Sequence, residues 1–136
     1  AVYKKRDDIN CIIHSEKDEV VAASKTAKVL RPLLDDFAQI AGATVRNAEF
    51  NPNDTLKSAK RVVKALGRHR TAALIKDNGA ICCGASPDEA EASETVTAKN
   101  CKAYVAASMC SKPKYIGRLD SILMNTVYRL KYSKQK

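Results

Sequence analysis

Residues 70–104, RTAALIKDNGAICCGASPDEAEASETVTAKNCKAY, decide the fold, because they read as a β-hairpin running directly into a long amphipathic helix. Two short apolar runs, 71–76 and 80–84, flank Asp77-Asn78-Gly79. Asn-Gly between such runs predicts a tight type I′ hairpin, which needs positive φ at both central residues. Ser86-Pro87-Asp88-Glu89 follows as a helix start. Ser86 can accept from the first free N–H groups, Pro87 has its φ set for the first helical position, and Glu89 completes a capping box. Asp88 and Glu91 add negative charge where the helix dipole favours it. Ala90, Ser93, Val96 or Thr97, Cys101, Tyr104 and Val105 recur at spacings of three and four, which lays one helix face on a sheet.

Working outward, the rest of the chain alternates strand and helix patterns. Residues 1–6 read as the end of a helix with Asp7-Asp8 as its exit, and 9–14 as a buried strand. Apolar spacing at Val20, Val21, Ala23 or Ser24, and Ala27 predicts a helix over 15–29, starting near Ser15 or Lys17. Pro32 breaks what precedes it, and Leu33, Leu34, Phe37 and Ile40 suggest a short helix closed by Gly42. Residues 43–48 follow as a strand, and Asp54 caps a helix that uses Leu56, Ala59, Val62 or Val63, and Leu66 before Gly67. Beyond Cys110, Lys112-Pro113-Lys114 is a break, and 119–130 a last helix ending in a basic tail. The expected class is α/β, or α+β with a mixed sheet flanked by helices. No internal repeat is visible.

At 136 residues, with 45% hydrophobic and 29% charged side chains, a single globular domain over 1–136 is expected. No run of about 18 apolar residues exists for a membrane span. The first eight residues lack the apolar centre of a signal peptide, so a cytoplasmic location is expected. Cys11, Cys82, Cys83, Cys101 and Cys110 contain no Cys-x-x-Cys pair and are odd in number, which encodes neither a disulfide framework nor a familiar structural zinc site. Adjacent Cys82 and Cys83 should point to opposite faces of a strand.

The net charge of +9 raises the question of nucleic acid. Lys57, Lys60, Arg61, Lys64, Arg68 and Arg70 form one basic block, and Lys112, Lys114, Arg118, Arg129, Lys131, Lys134 and Lys136 another. Neither carries interleaved stacking aromatics of the RNA-binding kind, aromatics total only 5%, and no helix-turn-helix or zinc-finger spacing occurs. Solvated helix faces and a basic tail account for both blocks, and His69, between Arg68 and Arg70, reads as a solvated loop residue. Anionic ligands such as sugar phosphates remain compatible.

Two segments carry a family resemblance. Tyr3-Lys4-Lys5-Arg6-Asp7-Asp8-Ile9-Asn10-Cys11-Ile12-Ile13-His14-Ser15-Glu16 resembles the Y-x-x-R-P-D-x-N-A-V-V-H-x-H segment of the class II aldolase and adducin family. Residues 73–90 are similar to that family's A-x-L-L-x-x-H-G-x-x-x-x-G-x-x-x-x-E-A, in the right order and at the right distance. The resemblance implies the family's mixed sheet flanked by helices. It also implies a relation to metal-dependent sugar-phosphate aldolases, which are carbon–carbon lyases, and to ribulose-phosphate epimerases. Those aldolases hold zinc on three histidines, and the metal polarises the oxygens of a ketose phosphate.

Carried onto this sequence, the ligand positions are His14, Glu16 and Asn78, so one histidine of three remains. Positions i and i+2 of a strand share a face, which would let His14 and Glu16 address one cation, zinc or another divalent ion. Each residue also has a plain structural role: a hydrogen-bonded rim histidine, a first-turn helix charge, and the Asn of an Asn-Gly turn. The family's catalytic glutamate and Gly-rich phosphate loop lie ahead of the segment that Tyr3 opens, so the domain is expected to be incomplete at its amino terminus. The expected function is that of a class II aldolase/adducin-like member with an altered metal site, weakly active or inactive as a sugar-phosphate aldolase or epimerase, and the alternatives are a non-catalytic member kept for assembly or ligand sensing and a basic anion- or nucleic-acid-binding module. The resemblance further implies a homo-oligomer, a tetramer with sites between subunits, and strand edges left open would add a second reason for association.

Overall fold

A computed structural model describes residues 1–110 and 114–133. The break at Lys112-Pro113-Lys114, Lys114 excepted, and the basic tail after 133 lie outside the described residues. The chain forms α1 (Val2–Lys5), β1 (Cys11–Ser15), α2 (Asp18–Thr26), β2 (Val29–Leu30), α3 (Asp35–Ile40), β3 (Val45–Ala48), α4 (Thr55–Leu66), β4 (Ala72–Ile75), β5 (Gly79–Gly84), α5 (Pro87–Cys110) and α6 (Arg118–Ser133). The strands make one mixed sheet in the order β1-β5-β4-β3-β2. β3 and β4 are parallel and the other neighbours antiparallel, so β1, β3 and β4 run the same way. The sheet therefore has two chemically different poles. One holds the carboxyl ends of β1, β3 and β4, the other their amino ends.

Helices cover both faces. Val20, Leu30, Phe37, Val45, Leu74, Cys82, Val96 and Cys101 form the larger core beneath α2, α3 and α5, whereas Ile9, Ala65, Leu66, Ala73, Ile81 and Cys83 form a smaller one beneath α1 and α4. The strand period of two explains the split, with Cys82 and Cys83 in different cores as their adjacency requires. Burial pushes the Cys82 and Cys101 thiols up to about 12 and the Cys83 thiol up to about 11. At neutral pH these are apolar core residues rather than thiolates.

The hairpin and the helix after it form as the residues dictate, with one correction. The turn is not a two-residue type I′. Ile75 pairs with Gly79, Lys76-Asp77-Asn78 make the loop, and the positive φ values fall on Asp77 (64°) and Gly79 (96°) rather than on Asn78 and Gly79. The Asn78 N–H donates to the Ile75 carbonyl and closes the turn. Asp shares with Asn the short polar side chain that tolerates the left-handed region, and three loop residues reach where two would leave Gly79 out of register. At the next junction Ser86 Oγ accepts from the Glu89 N–H at 3.2 Å, and Glu89 Oε2 accepts from the Ala85 N–H at 2.9 Å. The box thus closes one residue earlier than its usual form.

Other boundaries shift for local reasons. Ser15 belongs to β1 and α2 starts at Asp18, because Ser15 is paired with Ala80 across the sheet. Val29 and Leu30 leave the helical pattern to pair with Arg46 and Val45, and Leu33 and Leu34 precede α3. Two backbone N–H groups there, of Leu33 and Leu34, donate to Oδ1 of Asn100 at 2.8 and 3.2 Å, while Asn100 Nδ2 donates to the Arg31 carbonyl at 3.0 Å. A buried asparagine on α5 thus satisfies backbone groups of the irregular segment around Pro32 that neither helix nor strand pairs. The segment it holds accepts in turn from the Ile116 N–H through the Pro32 carbonyl, just ahead of α6.

Candidate functional site

Hairpin packing brings together the three residues singled out in the sequence. Gly79 lies against the backbone of Ser15 and Glu16, leaving no room for a Cβ. That contact sets the β4–β5 turn directly over the end of β1. The end of α2 holds it there: Lys76 Nζ donates to the Lys25 carbonyl at 2.8 Å, Lys25 Nζ lies 3.6 Å from Asp77 Oδ1, and the Gly79 N–H donates to Ser24 Oγ at 3.3 Å.

His14 stands opposite Ile81 on β1, at the pole where β1, β3 and β4 end. Its Nε2 donates to the Asn78 backbone carbonyl at 2.9 Å, since a carbonyl can only accept. Its Nδ1 lies 3.7 Å from Glu16 Oε1. The His14 and Glu16 side chains are 46% and 72% exposed, so this is an open rim and not a buried pocket. His14 and Glu16 do share a side, as i and i+2 on a strand should.

The donor set does not fit zinc. A zinc site takes three protein ligands if catalytic and four if structural. Here one imidazole nitrogen and one carboxylate face each other, and the third position supplies a carbonyl that already holds the histidine's other nitrogen. No group of three His, Cys, Asp or Glu able to hold a metal occurs among the described residues.

The opposite pole is tied together by Arg6 and Arg70. Arg6 is almost wholly buried. Its Nε and Nη2 donate to the two oxygens of Asp8 at 2.7 Å each, and Nη1 donates to the carbonyls of Gly67 and Arg70 at 3.0 Å each. The Arg6 hydrogen bond chiefly holds the Asp8 carboxyl below its ordinary value. This fork ties the amino-terminal segment to the loop between α4 and β4. The signal was present as an Arg two residues before an Asp, a spacing that allows a planar fork to meet a carboxylate. Arg70 corrects the reading of its basic block as solvated: its Nε donates to the Thr44 carbonyl and hydroxyl, and Nη2 to the same hydroxyl. His69 is exposed, as its sequence context suggests.

A mixed five-stranded sheet between helical layers, with a histidine at the end of an edge strand beneath a hairpin turn, defines the α/β fold of this domain. The chain belongs to the family described as class II aldolase and adducin N-terminal domain, which matches residues 1–105. It is 34% identical over 89 residues to protein hu-li tai shao of Drosophila melanogaster, which amounts to 65% of this chain and 8% of that protein. An L-fuculose 1-phosphate aldolase superposes with a TM-score of 0.83 at 22% identity, over 93% of this chain and 59% of that one. An L-fuculose 1-phosphate aldolase from Glaciozyma antarctica does so with a TM-score of 0.73 at 19% identity, over 93% and 47%. The chain therefore spans about half the length of these aldolases and a small part of the Drosophila protein. Among the described residues no helix is long and apolar enough to cross a membrane.

Proposed function

We propose that this chain is a non-catalytic class II aldolase/adducin-like module, in which the fold serves assembly or ligand sensing and the metal-dependent cleavage of a phosphorylated sugar has been lost. The His14–Asn78 hydrogen bond carries the reading. Where the family's aldolases bring a third imidazole to the metal, this chain brings a backbone carbonyl that fixes His14 as a donor. A histidine that donates one N–H to a carbonyl can still bind a cation through its other nitrogen. Among the described residues Glu16 is the charged oxygen donor that faces His14, and two ligands fall short of the three that a Lewis-acid centre needs.

Elemental analysis after dialysis against zinc tests this directly, with His14→Ala beside the unaltered chain. The expected result is the same substoichiometric metal in both. Near-stoichiometric zinc that vanishes in His14→Ala would overturn the proposal in favour of a lyase or epimerase with a rebuilt site.

Assembly as a homo-oligomer is supported by α6, whose Leu119, Leu123, Val127 and Leu130 are 83%, 63%, 54% and 59% exposed along one helical stripe. Burying one such side chain is worth about 1.5–3 kcal/mol. The double substitution Leu123→Lys/Val127→Lys is therefore expected to weaken self-association by at least about tenfold in sedimentation velocity, with the circular dichroism unchanged. An unchanged mass distribution would remove α6 from the interface.

A further inference from the structure

We propose that the cleft between residues 41–44, residues 68–70 and the first turns of α6 binds the phosphate group of a small phosphorylated molecule, held by Arg68, Arg70 and Arg118. The cleft has a volume of about 250 Å³, and beside those three arginines it is lined by His69, Thr44 and Asn125. No carboxylate lines it. It lies at the amino ends of β3 and β4, the pole opposite His14, so the proposal does not depend on what occupies the His14 rim.

Three observations point to an anion. First, the cations are unpaired: neither Arg68 nor Arg118 has a hydrogen-bond or ion-pair partner among the described residues, and the Arg70 guanidinium is bonded only to neutral oxygens, of Thr44 and Ala65. Second, Arg70 is already oriented. Three of its five N–H groups are used on Thr44 and Ala65, which leaves one on each terminal nitrogen for a forked contact with two phosphate oxygens. Gly67 makes this placement available, since a Cβ there would lie 2.9 Å from Arg70 Nη1. Third, the local field is uncompensated: burial first, and then the positive charges of Arg46 and Arg118, hold the Arg70 guanidinium below its ordinary value. A dianion would relieve that repulsion. The nearest acid on α6, Asp120, is exposed in its first turn and does not line the cleft.

The size and lining choose among anions. The volume is below the usual range for drug-sized ligands, and the cleft offers no Phe, Tyr or Trp on which a base could stack. A compact phosphate fits this better than a nucleic-acid strand does.

Titration calorimetry at low ionic strength, with inorganic phosphate and with glycerol phosphate as probes, tests the proposal on the full chain. Saturable binding is expected for at least one of the two, and their relative affinity separates the free ion from a phosphate ester. Arg68→Gln and Arg118→Gln, both at exposed positions, should each weaken binding about tenfold or more, as loss of a charge-assisted hydrogen bond does. His14→Ala should leave it unchanged. Absence of saturable binding, indifference to both arginine substitutions, or loss in His14→Ala would each overturn the assignment. Tighter binding of a single-stranded oligonucleotide, with a steep salt dependence, would overturn it in favour of a nucleic-acid surface. Metal content of the chain is read independently of phosphate binding, so the two proposals fail separately.

Discussion

Gly79→Ala is expected to cost about 3 kcal/mol or more of folding stability, at the upper end of what a single substitution does. Two effects combine. Gly79 has a φ of 96°, which an L side chain rarely adopts, and a Cβ there would collide with the carbonyl oxygen of Ser15 and crowd its carbonyl carbon. Both obstacles are backbone, so no side-chain rotation relieves them. β1 must separate from the hairpin, or the turn must open. Urea unfolding followed by circular dichroism measures the loss, and a change within about 0.5 kcal/mol, the ordinary range for surface sites, would show that the close approach is not rigid. The effect reaches the candidate site, because the same contact places the Asn78 carbonyl over His14. A companion variant, Gly84→Ala, strikes the other end of β5, where a Cβ would meet Ala90 N at 2.5 Å and Glu89 Cβ at 2.6 Å. It should destabilise the chain while leaving the His14 imidazole signals in NMR spectra unshifted, whereas Gly79→Ala moves them.

What could be seen in the sequence follows from the range of the interactions. The hairpin, the start of α5 and the Asp54 cap rest on contacts within a few residues, and all three form; the Asp54 side chain accepts from the Lys57 N–H at 3.0 Å. His14 and Glu16 share a side through strand period, which is local, whereas their meeting with Asn78 joins residues 64 apart and could be seen only through the family resemblance. What could not be seen depends on partners far along the chain. Arg70 reads as one more cation in a basic block until Thr44, 26 residues away, is folded against it. β2 is two residues long and exists only because β3 offers an edge. The exact turn likewise escaped the dipeptide rule, since the strand register, fixed by which faces must be buried, demanded a third loop residue and moved the positive φ to Asp77.

Asn100 is the clearest case of a residue whose importance the pattern hides, and its loss should be the second large effect. On the apolar face of α5 an asparagine looks like an interruption. It is fully buried and makes three hydrogen bonds to the backbone of the segment that enters α3. Asn100→Leu keeps the branched shape with slightly larger end groups and strands two N–H groups and a carbonyl, each costing about 1–3 kcal/mol, so a loss of about 3 kcal/mol or more is expected in urea unfolding.

Asn100→Asp separates this account from one of packing alone. As a carboxylate it would still accept from Leu33 and Leu34, but it would turn a charge toward the Arg31 carbonyl. As a protonated acid it could donate there and restore all three bonds. Burial and the carbonyl should therefore raise the folded-state pKa of the introduced acid above its unfolded value of about 3.9. A group raised in this way contributes stability that is fully present below the unfolded value and is lost as pH rises through the folded one. The Asp variant is thus expected to approach the unaltered chain near the unfolded value and to fall behind it toward neutrality, while the Leu variant shows no added pH dependence. Parallel curves for the two variants would mean that the hydrogen bonds are not what Asn100 supplies. Because the Pro32 carbonyl in the clamped segment also receives the Ile116 N–H, the Asp variant should loosen α6 at neutral pH. Self-association and phosphate binding at the arginine cleft should then weaken together, although Asn100 touches neither surface.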